Sequence, residues 1–264
     1  MTDGEKPATG GTDAVDDSGE DATERVVVDS LSRSFGDVTV LDDVSFTADP
    51  GTVTCVVGPN GSGKTTLLRI VAGLLPPSEG NVVLTADGER SVGYLPQTPA
   101  FRQQFSLAET LAFYGALVEG DVDADAVLER VGLDEVGGRR VEALSGGMTR
   151  LFGIALATVG DPPVLVLDEP ASGLDPTMTD HVGTAVGDLA DAGRTVLLAT
   201  HELGTVDRVA DTVVVLDAGA VAAVGSPAKL RRETGESSLT KAVTALVAGE
   251  GALTVRGGPG EGSQ

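Results

Sequence analysis

The sequence predicts an α/β fold in which a mostly parallel sheet is flanked by helices. Three apolar runs of strand length carry this prediction: "GTVTCVVG" (51–58), "PVLVLDEP" (163–170) and "TVLLAT" (195–200). A strand that is apolar throughout is typical of a sheet covered on both faces. Helical stretches separate the three runs, and alternating strands and helices are typical of parallel sheets. The 264 residues, 41% of them hydrophobic, are enough for one domain with a substantial core.

The first strands of the chain show a different pattern. Residues 25–34 and 38–47 are β-branched and alternate in part, which predicts half-buried antiparallel strands. After the buried strand at 51–58, the segment "TTLLRIVAGLL" predicts a helix that ends near Gly73. Two further strands are predicted at 81–86 and 91–95.

A stretch without strands follows. Ser106 and Glu109 form the pattern S-x-x-E, a capping box that predicts a helix through Tyr114. Asp123 is a suitable N-cap for a second helix to Val131. These helices predict a small helical subdomain, which we assign to about 98–160.

In the last third of the sequence, predicted helices and strands alternate again. Asp175 and Pro176 fit the N-cap and first position of a helix that runs to Ala192. A short helix to Ala210, strands at 211–217 and 220–225, and a helix capped by Ser226 complete the pattern. We assign the folded domain to 25–235, a disordered acidic tail to 1–24, and a C-terminal helix with a flexible glycine-rich tail to 236–264.

Charge excludes one class of partner. Lys and Arg number 18 against 40 Asp and Glu, a formal net charge of -22. Such a surface repels a polyanion, so nucleic acid is not an expected partner. Because salt screens self-repulsion, we interpret the acidity as adaptation to a salt-rich, halophilic cytoplasm.

The sequence also bears on location. Cys55 is the single cysteine, so no disulfide forms within the chain, and its apolar surroundings predict a buried, inert thiol. The N-terminus lacks the pattern of a signal peptide, and no apolar run approaches the roughly 20 residues that span a bilayer. We expect a cytoplasmic protein that meets a membrane only by docking on it.

The most specific motif is "GPNGSGKT", residues 58–65, which matches the phosphate-binding P-loop in full. Gly58, Gly61 and Gly63 allow the backbone to turn its N–H groups towards phosphates, and the following helix N-terminus adds its dipole. Lys64 neutralises phosphate oxygens, and Thr65 offers a hydroxyl to Mg²⁺. The predicted strand before the motif and helix after it are the context that this loop requires.

Two acidic residues suit the other requirements of nucleotide hydrolysis, a metal ligand and a group that activates water. The strand at 163–168 ends in Asp168, which suits a Mg²⁺ ligand, and Glu169 follows where a carboxylate can polarise an attacking water. The alternative for Glu169 is an ordinary exposed acid at a strand end. A lone histidine such as His201, which follows another strand, is more often structural. P-loop and acidic strand together predict a P-loop NTPase that hydrolyses ATP or GTP.

From about Arg25 to about Glu233 the sequence resembles the ATP-binding subunit of an ABC transporter, with every motif in the family's order. The resemblance implies ATP and Mg²⁺ as cofactors, ATPase activity, and a parallel α/β core with an antiparallel β-subdomain and a helical subdomain. It implies that Phe35 stacks on adenine and that the phosphates are held by Gly58, Pro59, Asn60, Gly61, Ser62, Gly63, Lys64, Thr65 and Thr66. It further implies catalytic roles for Glu169, His201 and Gln97, metal contacts for Thr65, Gln97 and Asp168, and a D-loop role for Asp175.

A second anion-binding turn distinguishes this family. Ser145, Gly146 and Gly147 match its signature motif and open a helix, "MTRLFGIALA". The resemblance implies that this turn completes the nucleotide site of a second, identical or homologous subunit across two-fold symmetry. Met148 stands where the signature commonly has Gln, which weakly favours ATPases of ABC-2-type, drug-export or copper-linked systems. Phe35 replaces the commoner Tyr, and stacking needs only a ring.

Two functions follow from the resemblance. The first is an ATPase subunit that couples ATP-driven dimerisation and hydrolysis to a separate membrane permease, on the cytoplasmic face of the membrane. The alternative is a soluble ABC ATPase without a permease, such as the iron–sulfur assembly type.

Overall fold

The computed structural model describes residues 25–85, 90–118 and 121–250, of which 249 and 250 only as backbone. The tails predicted as disordered, 1–24 and the glycine-rich end, lie outside the described residues. The strands are β1 (Val26–Phe35), β2 (Val38–Ala48), β3 (Val53–Val57), β4 (Glu79–Leu84), β5 (Val92–Leu95), β6 (Val164–Asp168), β7 (Thr195–Ala199), β8 (Thr212–Asp217) and β9 (Ala220–Gly225). The helices are α1 (Lys64–Val71), α2 (Leu107–Gly115), α3 (Ala124–Glu129), α4 (Gly146–Ala157), α5 (Pro176–Asp191), α6 (Leu203–Val209), α7 (Pro227–Thr234) and α8 (Leu239–Glu250).

The larger sheet has six strands in the order β5-β6-β7-β3-β8-β9. Every neighbouring pair is parallel except β8 and β9, which are antiparallel. All residues of β3, β6 and β7 are buried, as the continuous apolar runs predicted. The predicted α/β fold class, a mostly parallel sheet flanked by helices, is confirmed.

The smaller sheet is antiparallel and has the order β2-β1-β4. Strands β1 and β2 form a hairpin whose last pair is Phe35 with Val38. Strand β4, which follows α1, pairs with the other edge of β1, so that Val26 faces Leu84. This sheet is the predicted antiparallel β-layer, and it closes over α1.

The core lies in two layers, one on each face of the six-stranded sheet. Because successive side chains of a strand point to opposite faces, Cys55 of β3 packs in one layer and Val56 in the other. Val56 shares its layer with Leu67 and Leu68 of α1, both fully buried, at about 1.5–3 kcal/mol of stabilisation each. Cys55 is buried as predicted, and burial raises the pKa of its thiol.

The segment between β5 and β6 contains helices α2, α3 and α4. The predicted capping box is present: the Glu109 N–H donates to the Ser106 hydroxyl at 3.1 Å, and the Ser106 N–H donates to the Glu109 carboxylate at 2.8 Å. Asp123 caps α3 as predicted, accepting from two backbone N–H groups. Helix α3 ends at Glu129, two residues before the predicted end, because the chain turns at Gly132, where φ is 69°.

None of the helices in the described segments combines the length and the apolar composition needed to cross a lipid bilayer.

Candidate functional site

The topology brings three strand ends together. Strands β6, β7 and β3 are consecutive neighbours and run parallel, so their carboxyl ends meet at one edge of the sheet. The loop 58–63 follows β3, Glu169 follows β6, and His201 follows β7. Open α/β sheets bind ligands at this edge. Residues that are far apart in the sequence therefore converge on one location.

The phosphate-binding loop depends on close packing at Gly63. This residue precedes α1 with φ of 102°, a region that side chains rarely adopt. A Cβ atom there would lie 2.7 Å from Cδ2 of Leu41 and 2.9 Å from the carbonyl oxygen of Val40. The β2 strand thus packs directly against the start of α1. Only glycine fits both the conformation and the space.

Lys64, the first residue of α1, directs its side chain back into the loop. Its Nζ donates to the carbonyl oxygens of Gly58 and Pro59, both at 2.9 Å. The residue is only 7% exposed, and burial lowers the pKa of the ammonium against the opposing effect of Glu169 and Asp168. The positive charge is thereby held inside the loop, where phosphate oxygens would receive it.

Thr65 and Asp168 form a pair of oxygen ligands. The Thr65 hydroxyl donates to Oδ1 of Asp168 at 3.2 Å. Asp168 is fully buried, and its Oδ2 has no hydrogen-bond partner among the described residues. Burial raises the pKa of this carboxyl, opposed mainly by the Thr65 hydrogen bond. A buried carboxylate oxygen without a partner, beside a hydroxyl, fits Mg²⁺, which takes one or two protein oxygens and completes its shell with phosphates and water.

Glu169 and His201 form a second pair. Oε2 of Glu169 lies 2.8 Å from Nδ1 of His201, and the carboxylate is largely buried while the imidazole is half exposed. Glu169 has φ of 52°, and its N–H donates to the carbonyl oxygen of Ala199 at 2.9 Å. A non-glycine residue with positive φ is uncommon and marks strain held by its surroundings. This backbone bond to the neighbouring strand fixes the carboxylate beside His201.

Gln97 lies outside this cluster. Its side chain is exposed and makes no hydrogen bond to the other candidate residues within the described structure. Its backbone carbonyl oxygen accepts a hydrogen bond from Nη1 of Arg150, which lies on α4. Arg150 is a residue that the sequence analysis missed. The bond spans 53 positions of the sequence and ties the loop after β5 to the helix that begins at the Ser-Gly-Gly turn.

The Ser-Gly-Gly turn is the N-terminus of α4. The Ser145 hydroxyl accepts from the Met148 N–H at 3.2 Å, and Ser145 and Gly146 are exposed. Gly147 is buried against Met178 of α5, and a Cβ atom there would lie 2.5 Å from Cε of Met178. Asp175 caps α5 by accepting from the Met178 N–H at 3.0 Å. Within the described residues, no hydrogen bond or ion pair joins this turn to residues 58–66.

Phe35 ends β1 at the tip of the hairpin, and 47% of its surface is exposed. The guanidinium of Arg33 lies over its ring, 4.5 Å from the ring centroid. Arg33 is a second residue that the sequence analysis missed. The signal was its position two residues before Phe35, which places both side chains on one face of the strand.

The structure therefore brings five of the predicted residues to one edge of the sheet: Lys64, Thr65, Asp168, Glu169 and His201. Thr65 contacts Asp168, and Glu169 contacts His201. Phe35, Gln97, Ser145 and Asp175 are exposed, and within the described residues no hydrogen bond or ion pair joins them to this group. An arrangement of a phosphate loop, a buried carboxylate and a carboxylate–imidazole pair can bind a nucleoside triphosphate and activate water beside it.

Known proteins are similar to this chain in both sequence and fold. The family model described as "ABC transporter" matches residues 41–172. The chain is 37% identical to the daunorubicin resistance ATP-binding protein DrrA3 of Streptomyces coeruleorubidus, covering 81% of this chain and 72% of that protein. It is 30% identical to the linearmycin resistance ATP-binding protein LnrL of Bacillus subtilis, over 80% and 72% of the two chains.

A solved structure, described as the structure of the ATP-binding subunit of an ABC transporter, superposes with a TM-score of 0.73. It is 28% identical in sequence and covers 84% of this chain and 98% of its own. The family predicted from the motifs is thus confirmed by sequence and by fold. The protein belongs to the ABC transporter family and is an ATP-binding subunit with the ATPase function of that family.

Proposed function

We propose that this subunit binds MgATP at the loop 58–66, hydrolyses it with Glu169 as the base, and works as a pair of ATP-binding subunits on a separate export permease. The observation that carries the proposal is the meeting of Lys64, the Thr65–Asp168 pair and the Glu169–His201 pair at one edge of the sheet. Each group has the chemistry that one part of phosphoryl transfer to water requires.

Thr65 and Asp168 would hold the metal ion. The Thr65 hydroxyl and the unpartnered Oδ2 of Asp168 supply hard oxygen ligands. When bound, Mg²⁺ withdraws charge from the phosphate oxygens. Lys64 neutralises further charge from within the loop, where two backbone carbonyls now hold its ammonium.

Glu169 orients and deprotonates the attacking water in this mechanism. Its carboxylate is held by His201 at 2.8 Å and by the backbone bond of its own N–H to Ala199. A general base must sit within hydrogen-bond reach of its proton, and a fixed carboxylate meets that need better than a mobile one. His201 positions the carboxylate, and its half-exposed imidazole, whose Nε2 lies 3.4 Å from Glu202, is the proposed contact with the terminal phosphate.

The exposed turn at Ser145 is the basis for proposing a second subunit. Helix α4 begins there with an exposed Ser145 and no acidic residue in its first turn, and the first N–H groups of a helix have no partner inside it. Such a helix end attracts an anion. At this end the helix packs against α5, where a Cβ atom on Gly147 would lie 2.5 Å from Cε of Met178. The phosphate of a nucleotide bound to another subunit is its proposed ligand, so that ATP joins two subunits and hydrolysis releases them.

The surface after β5 is the proposed contact with the permease. A cavity of about 330 Å³ lies beside the loop 98–104, and Phe113 and Tyr114 of α2, which line it, are 41% and 40% exposed. Arg102 covers the Phe113 ring at 4.7 Å. Exposed aromatic and arginine side chains are enriched in protein interfaces. The bond from Arg150 to Gln97 links this surface to the Ser145 helix.

The direction of transport is proposed from the relatives. Two of them are named for resistance to daunorubicin and to linearmycin, and resistance to a drug is a property that export supplies. Met148 in the signature position weakly favours the same assignment. We therefore propose an export system, with the subunit on the cytoplasmic face of the membrane.

Two experiments test the proposal. In Glu169→Gln, ATP turnover is expected to fall by about 10²–10⁴-fold while ATP binding persists. Glu202→Gln is the matched control, because Glu202 also contacts His201, at 3.4 Å, but is 44% exposed. Equal turnover in Glu169→Gln and wild type would remove Glu169 from the role of base.

The second experiment is a pull-down of tagged protein from gently solubilised native membranes in concentrated KCl, followed by mass spectrometry. A polytopic membrane protein at stoichiometric yield is the expected result, and Phe113→Ala with Tyr114→Ala should lose it. Leu74→Ala, a change at another exposed apolar residue, should retain it. Recovery without any membrane partner would favour the permease-free ATPase instead.

A further inference from the structure

The hairpin formed by β1 and β2 places a cation behind an exposed aromatic ring. Arg33 and Phe35 lie on one face of β1, and the guanidinium carbon of Arg33 is 4.5 Å from the ring centroid of Phe35. One face of the ring is thus covered, yet 47% of the residue's surface remains exposed. Arg33 occupies one face of the ring, so the opposite face is the one left for a planar ligand.

Arg33 is held firmly in this position. Its Nη1 donates to the carbonyl oxygen of Pro76 at 2.9 Å, and its Nε is buried without a hydrogen-bond partner among the described residues. Leaving a buried N–H without a partner is unfavourable, so the position over the ring must be stabilised by other contacts. A cation that is partly removed from water interacts more strongly with an aromatic face than an exposed one.

The same strand is anchored next to Arg33. The Ser34 N–H donates to the Ser78 hydroxyl at 3.1 Å, and the Ser78 N–H donates to the Ser32 carbonyl oxygen at 2.8 Å. Pro76 and Ser78 belong to the segment that follows α1, the helix that begins at the phosphate loop. The segment 76–78 therefore connects the Arg33–Phe35 pair, through α1, to the phosphate loop.

The Phe35 ring also lies at a distance from the phosphate loop that suits the separation of a nucleotide's base from its phosphates. Phe35 of β1 is paired with Val38 of β2. Leu41, three residues further along β2, packs against Gly63. Three residues of an extended strand span about 10 Å. The ring therefore stands apart from the phosphate loop, as the implied stacking of Phe35 on adenine requires.

We propose that Arg33 is a positioning residue for the nucleotide base. Its guanidinium holds one face of the Phe35 ring and attracts the π-electron density towards that face. The opposite face then stacks more strongly on a purine. An aromatic face is electron-rich, and a cation on one side reduces the repulsion between the other side and the face of a base. The inference rests on the proposed ATP site at residues 58–66. It adds a contact that strengthens base binding without touching the nucleotide.

The test separates base binding from phosphate binding. Isothermal titration calorimetry would measure the affinities of the β,γ-imido analogue of ATP and of inorganic tripolyphosphate, both with Mg²⁺. The variants are Arg33→Ala, Arg33→Met, Arg33→Lys, Phe35→Ala and the double variant Arg33→Ala with Phe35→Ala. Arg232→Ala, which removes an exposed arginine from α7, is the control for lost charge. Thermal unfolding would confirm that each variant is folded.

We expect Arg33→Ala and Arg33→Met to weaken the ATP analogue about threefold to tenfold, and Arg33→Lys to recover most of the loss. Tripolyphosphate affinity should stay within about twofold of wild type in all three. The double variant should bind the analogue no more weakly than Phe35→Ala, because Arg33 acts through the ring.

Two results would overturn the inference. Analogue affinity in folded Arg33→Ala equal to wild type would show that the guanidinium does not help the ring. Equal losses for the analogue and for tripolyphosphate would show that Arg33 acts as a distant positive charge instead. Failure of the proposed ATP site is a different result: wild type would then bind neither probe, or Lys64→Ala would bind both unchanged.

Discussion

The contact between β2 and the phosphate loop allows a quantitative prediction at Gly63. A methyl group in Gly63→Ala meets two atoms, Cδ2 of Leu41 at 2.7 Å and the carbonyl oxygen of Val40 at 2.9 Å. The leucine methyl can shift, but the Val40 carbonyl belongs to a paired strand and cannot. Overpacking of this kind costs about 1–3 kcal/mol. Holding alanine at φ of 102° costs about 1–2 kcal/mol more.

The expected loss of unfolding free energy is therefore about 2–5 kcal/mol, a large part of the 5–15 kcal/mol that stabilises an ordinary domain. Gly61→Ala is the matched control, because Gly61 has φ of 83° but nothing within 4 Å of a Cβ. It should lose about 1–2 kcal/mol from backbone strain alone. Urea unfolding followed by circular dichroism would measure both variants. A Gly63→Ala loss no larger than that of Gly61→Ala would refute the packing argument.

Three further predictions concern the metal ligand, the helical segment and the surface. Asp168→Asn should abolish Mg²⁺-dependent turnover yet stabilise the apo protein by about 1–3 kcal/mol near neutral pH, because it removes a buried charge with an unpartnered oxygen. The carboxyl pKa is raised above the usual 3.8, so this gain should disappear as the pH falls through that raised pKa; a gain unchanged down to pH 3 would contradict it. Ser106→Ala should lose about 1 kcal/mol with the capping box, measured by urea unfolding, whereas Ser238→Ala, at a weaker 3.4 Å contact, should lose less. Lastly, if the net charge of -22 reflects adaptation to salt, thermal stability should rise steeply between dilute and molar KCl, and a flat response would refute that interpretation.

Local signals account for most of the fold that the sequence predicted. The apolar run at β3, the capping box at Ser106 and the Asp175–Pro176 pair each act within a few residues, so the sequence displays them completely. The order of the strands is different, since it depends on which segments pair across long distances. The assignment of β4 to the antiparallel sheet follows from its pairing with β1 and was not readable from its own residues.

The residues of the candidate site also fall into those that local motifs reveal and those that depend on tertiary contacts. The P-loop and the Asp168–Glu169 pair are contiguous motifs that follow buried strands, and they were found from the sequence. Arg33 and Arg150 were missed because their partners are set by tertiary structure: the Pro76 carbonyl lies 43 positions from Arg33, and the Gln97 carbonyl lies 53 positions from Arg150. The positive φ of Glu169 also escapes sequence analysis, since it is held by a backbone bond to a neighbouring strand.

The central claim, that the Ser145 turn serves the ATP of another subunit, is tested most directly by mixing two inactive variants. Lys64→Ala disables the phosphate loop, and Ser145→Arg disables the turn. A mixed pair of subunits then contains one site in which both halves are intact. The account predicts that each variant alone lacks ATPase activity and that an equimolar mixture recovers about a quarter of wild-type turnover. If the mixture stays as inactive as its components while each variant remains folded, the Ser145 turn does not act across the subunits.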